Sequence, residues 1–87
     1  MIYYYVLLQS KTHALLLDRR MKGEGITCEL AIMPREIMMD LCNLGIKFEE
    51  GMLQRAVAVI TRSGIPGCKL YKENVYPGYN QYVQVPV

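Results

Sequence analysis

Cys42 is the residue of this sequence whose type and setting best suit covalent chemistry. It stands in a connection between two predicted strands, downstream of Arg35, in a chain whose only histidine is His13. A thiol that faces the positive end of a helix or a cationic side chain has a lowered pKa, and the resulting thiolate is the nucleophile. Cys68, expected where a fourth strand begins, is the candidate resolving thiol if it approaches Cys42 closely. Each residue also has a plainer reading. Cys42 and Cys68 would pack as small hydrophobes, Arg35 would pair with Glu36 on the surface rather than hold an anion, and His13 would cap or solvate a first helical turn rather than act as a base. Cys28 is in phase with Ile26, Leu30 and Ile32, which predicts a core-facing, inert thiol.

Other chemistries find little support in the sequence. No Ser/His/Asp set, paired-carboxylate motif, phosphate loop or metal-ligand spacing occurs, which favours a carrier or binding module over an enzyme, with no cofactor and no metal. Three cysteines without a CxxC pair suit reduced thiols in the cytoplasm better than a disulfide framework. The formal charge of +2 is spread along the chain with no Lys/Arg run, so the footprint of a nucleic-acid-binding protein is missing. The apolar stretch 2–8 is too short to cross a membrane, has no basic region before it and no small-residue cleavage site after it. It reads as a strand. The methionines, Met38 and Met39 among them, read as adaptable packing.

At 87 residues, with 52% hydrophobic and 21% charged side chains, the chain can bury one core. Ile2, Tyr4, Val6 and Leu8 alternate with Tyr3, Tyr5, Leu7 and Gln9 as a first strand. Ser10 or Thr12 caps a helix with Ala14, Leu17 and Met21 on its apolar stripe, Asp18 and Lys22 on its wet side, and Gly23 and Gly25 at its end. A second strand is predicted over 26–32, closed by Pro34, and a connection over 34–43 with a helical turn through 36–41. Leu44, Ile46 and Phe48 mark a third strand. A helix over 51–63 carries Leu53, Ala56, Val57 and Ile60 and stops at Gly64; a fourth strand runs over 68–76.

The order β-α-β-β-α-β predicts a ferredoxin-like α+β sandwich, a four-stranded antiparallel sheet with two helices on one face. Residues 1–76 would form that domain. Pro77-Gly78 suits a turn, with residues 77–87 returning as an added strand or an exposed arm. In this topology the connections 10–13, 34–42 and 63–68 gather at one end of the sheet and bring Cys42, Cys68 and His13 into one neighbourhood. If Tyr4 points to the helices, Tyr3 and Tyr5 line the opposite face. Such rings suit stacking on RNA bases, but strand three lacks the companion basic and aromatic residues, so a dimer interface or cover by the tail explains them better.

Several segments resemble the selenium/sulfur carrier protein-like family across about residues 3–70. They are Tyr4-Tyr5-Val6-Leu7 leading to Ser10, Thr12 with Ala14-Leu15, Lys22-Gly23-Glu24-Gly25-Ile26, Pro34-Arg35-Glu36, and Cys42 before Leu44-Gly45-Ile46-Lys47-Phe48. The Pro-Arg segment followed by the cysteine is the most specific. The family usually has glycine after the cysteine and small polar residues before it, where this chain has Asn43 and Met38-Met39-Asp40-Leu41. The resemblance implies a carrier that takes a sulfur or selenium atom on Cys42 and passes it to a partner enzyme, with donor and acceptor proteins as partners. The alternatives are a small non-catalytic module that dimerises through its sheet face, and a thiol oxidoreductase using Cys42 and Cys68.

Overall fold

The computed structural model describes residues 2–37 and 43–86. Its elements are β1 (Ile2–Leu7), α1 (Lys11–Gly23), β2 (Glu29–Ile32), β3 (Leu44–Glu49), a 3-10 turn (Glu50–Met52), α2 (Leu53–Ser63), β4 (Lys69–Tyr76) and β5 (Tyr79–Val85). The fold is α+β, with two helices and a five-stranded antiparallel sheet in the order β2-β3-β1-β4-β5. The segment after Tyr76 is an added strand: β5 pairs with β4 from Tyr76↔Tyr79 to Leu70↔Val85. Between them Gly78 has φ +85°, a conformation suited to glycine in a tight turn.

α1 begins where Ser10 accepts a hydrogen bond from the His13 backbone N–H at 3.2 Å. At its other end the Gly25 N–H donates to the Lys22 carbonyl and the Ile26 N–H to the Met21 carbonyl, a Schellman closure with Gly25 at φ +80°. Ile26 and Met21 are both buried in the same core. This closure corrects the expected start of strand two. Ile26 spends its backbone donor on the helix end, so the ladder begins only at Glu29. The helix predicted over 51–63 divides into the 3-10 turn and α2, and stops at left-handed Gly64. The helical turn expected through 36–41 falls mostly on residues 38–42, outside the described residues; before them, the Ile37 N–H donates to the Pro34 carbonyl and closes a turn.

β1 is the middle strand, and both of its faces are covered. Tyr4, Val6 and Leu8 pack with Ile46, Phe48 and Leu70 against Ala14, Leu17 and Met21 of α1 and Ala56, Val59 and Ile60 of α2. The Tyr4 and Phe48 rings, opposite one another in register, stack at 5.6 Å. On the other face Tyr5 and Leu7 are buried with Met33 and Ile37, flanked by Ala31, Tyr71 and Tyr82. The chain leaving β2 therefore folds across the sheet face opposite the helices, and the tail contributes Tyr82, whose ring meets Tyr5 edge-on at 6.2 Å. Buried on this face as well, Glu73 accepts a hydrogen bond from the Tyr82 hydroxyl at 2.7 Å. Burial first, and then the Glu73 carboxylate, push the Tyr82 phenol up to about 12.

Asp18 departs from expectation in a different way. It is not on the wet side of α1: only 6% of it is exposed. Four residues after Ala14 and three before Met21, it lies within the apolar stripe, a spacing that could have revealed it.

Candidate functional site

Strand register fixes which connections meet. Leu7 lies opposite Gly45 in β3 and Lys69 in β4, while Ile32 lies opposite Leu44. The connections 8–10, 33–43 and 64–68 therefore leave or enter the sheet at the same end. Cys42 itself lies outside the described residues. The residue after it, Asn43, accepts a hydrogen bond at 2.7 Å from the Met33 N–H, so the segment between Met33 and Asn43 leaves and rejoins the fold at one closed stem.

Two glycines allow the close approaches at this end. A Cβ on Gly45 would fall on the Val6 carbonyl oxygen and on the Met33 thioether, and a Cβ on Gly67, at φ +73°, would fall on the Gln9 side chain. In the sequence Gly45 is only the small member of an alternating strand. What makes glycine necessary there is the Val6 backbone carbonyl on the neighbouring strand, while the flexible end of Met33 fills the rest of the space.

The four candidate residues have different fates. Arg35 is exposed in the turn before Ile37. His13 is half-buried, and its Nδ1 is buried without a hydrogen-bond partner among the described residues. Cys68 is half-buried, packs against the helix-side core, and donates its S–H to the Ile65 carbonyl at 3.4 Å. Burial raises its pKa above the ordinary 9.0, so it holds its proton at neutral pH.

Cys28 sits nearer the opposite end of the sheet, beside a shallow cleft of about 280 Å³ lined also by Tyr3, Thr27, Glu29, Lys47, Phe48 and Glu49. Packing against the core as predicted, it donates its S–H to Asp18 Oδ1 at 3.6 Å, while Lys22 Nζ donates to Asp18 Oδ2 at 3.0 Å. Burial, and then the Asp18 carboxylate, push the Cys28 thiol up to about 11. Both described cysteines are thus free thiols that stay protonated near neutral pH.

Among the described residues no three His, Cys, Asp or Glu side chains come together to hold a metal ion. No helix among them is long and apolar enough to cross a membrane. A family model with the description "Putative Se/S carrier protein-like" matches residues 3–72, a span that runs from β1 into β4 and includes Arg35, Cys42 and Cys68. No curated protein and no solved structure matches the chain.

Proposed function

Because the chain belongs to the Se/S carrier protein-like family, whose model covers it from β1 into β4, we propose that it carries a sulfur or selenium atom on Cys42. In the sulfur case the Cys42 thiolate attacks the outer sulfur of a donor persulfide. The donor's S–S bond breaks, the donor leaves as a thiolate, and Cys42 holds the sulfur as its own persulfide with no net oxidation or reduction. An acceptor nucleophile then takes that sulfur and releases the Cys42 thiolate. The donor and acceptor are partner proteins, and the carrier itself completes no reaction.

The observation that carries this reading is the family match, which runs through both Arg35 and Cys42. The state of the other thiols supports it. With Cys28 and Cys68 held protonated by their surroundings, neither competes for an electrophilic sulfur at neutral pH. Arg35, exposed in the same connection, would steady an anionic adduct or a partner's carboxylate. Cys68 and His13 complete the proposed binding neighbourhood at this end of the sheet. The thiols also favour a cytoplasmic setting. We read β2-β3-β1-β4 as a ferredoxin-like arrangement to which β5 is added, with the carrier domain ending at residue 76. The alternative module that dimerises through its sheet face has less to rest on, because Met33, Ile37 and Tyr82 already cover Tyr5 and Leu7 within the chain.

Mass-resolved alkylation of the native protein against pH, followed by exposure to a small-molecule persulfide, tests the carrier reading. Rapid modification of Cys42 alone, and a retained sulfur that Cys42→Ser abolishes, is the expected result. Silence of Cys42 until the protein is unfolded would sink the proposal.

A further inference from the structure

The sheet has two outer edges, and they are unlike. β2 is four residues long, begins with the exposed carboxylate of Glu29 and is followed closely by Pro34. Short length, charge and a nearby proline are common protections against strand addition. β5 is seven residues long and carries no charge within its span, so length and charge are what set the two edges apart. From Asn74 to Val87 the sequence contains no Lys, Arg, His, Asp or Glu, and its two prolines, Pro77 and Pro86, lie outside β5. Nothing among the described residues pairs with the outer side of β5.

The two-residue turn between β4 and β5 makes Tyr76 and Tyr79 the first ladder pair. Alternation from there sends the backbone N–H and C=O groups of Asn80, Tyr82 and Gln84 to the open edge. We propose that this edge pairs antiparallel with β5 of a second copy about a two-fold axis at Tyr82, joining two five-stranded sheets into one of ten strands. The sequence is self-complementary about that point. Asn80 faces Gln84 of the second copy, Tyr82 faces its equivalent, and Gln81 faces Val83, so no like charges meet and amides lie opposite amides.

Side-chain exposure agrees with this pairing. Val85 packs on the helix-side core, so Tyr79, Gln81 and Val83 share its face of the strand. Yet Tyr79 is 63% exposed and Val83 45% exposed, because β5 lies beyond β4 at the margin of the helix layer. A second β5 alongside would cover part of both. The far face of the strand is already fixed by the contacts of Tyr82 with Tyr5 and Glu73, which hold the edge in a set register before any partner arrives.

The test is the mass in solution by light scattering and sedimentation equilibrium, from low micromolar to near-millimolar protein. The expected result is a particle of about twice the 10.0 kDa chain mass. Two variants, Gln81→Lys with Val83→Lys and Gln81→Glu with Val83→Glu, should each be monomeric, because like charges then face one another. Mixed in equal amounts they should form a heterodimer, which also shows that neither has misfolded. A wild-type protein that stays monomeric over the whole range overturns the inference. So do charged variants that dimerise as wild type does, or a mixture that fails to associate. Cys42→Ser should leave every one of these masses unchanged, so this result and the carrier chemistry fail or stand separately.

Discussion

The two ends of the sheet are built by different means. At the end where the connections gather, Gly45 and Gly67 admit Met33 and Gln9 by the absence of a side chain. Toward the other end, burial and then the Asp18 carboxylate hold the Cys28 thiol protonated, and Lys22 supplies the carboxylate with a counter-charge. One end is shaped by steric room and the other by charge. A mutation that adds a methyl group should therefore damage the first, while a change of charge should be read out as altered thiol chemistry at the second.

The largest effect is expected from Gly45→Ala. The new methyl meets a backbone carbonyl that cannot swing aside, and a cost of roughly 3 kcal/mol, at the upper end for overpacking, should appear in urea denaturation. Gly51→Ala is the control outside this end. Nothing lies within 4 Å of its added Cβ and its φ is not positive, so the same measurement should move by less than about 1 kcal/mol. Equal losses at the two glycines would remove the distinction between the ends.

Next comes the Cys28 thiol beside Asp18. In Asp18→Asn the Cys28 pKa should fall back toward 9.0, and alkylation of Cys28 at pH 8.5, a roughly mid-range choice below that ordinary value, should speed up several-fold while Cys68 keeps its rate. The fall should be partial because burial, the larger cause, remains. No change at Cys28 would mean that the carboxylate has no hold on it.

The same shift predicts a pH dependence of stability. Below pH 9 the thiol is protonated in both folded and unfolded chains. Above it the unfolded chain, with the ordinary value of 9.0, loses its proton before the folded one, at about 11. The contribution of Cys28 is therefore complete below pH 9 and lost as pH rises through 11. Urea melts across that window should show a steeper decline for wild type than for Cys28→Ala, and parallel curves would refute the assignment. The smallest effect belongs to Lys22→Met. Its ammonium is screened by solvent, so removing the 3.0 Å ion pair should shift the midpoint of the same melts least of all.

Much of this architecture was legible because it is local. Ser10 caps α1, Ala14, Leu17 and Met21 repeat at helical spacing, and Gly64 ends α2, all from contacts within a few residues. The period-two alternation of β1 and β3 needed only the pleat of a strand, and the Pro77-Gly78 step announced the return of the tail. The candidate site was legible only as a convergence of three connections, since topology follows from element order. Its chemistry was not, because the surroundings that set a thiol's pKa, and its proximity to another thiol or an imidazole, are properties of three dimensions.

By itself, then, the sequence determined the element types, their order, the apolar stripes and the family to which the chain belongs. Tertiary structure alone decided that the Asp18 carboxylate of α1 meets the Cys28 thiol. It also decided that Met33 and Ile37 cover the face opposite the helices. The physical reason is range. Caps, turns and periodicities are settled by neighbours along the chain, whereas burial of a charge, suppression of a thiol and the need for glycine at position 45 depend on atoms brought together from distant segments.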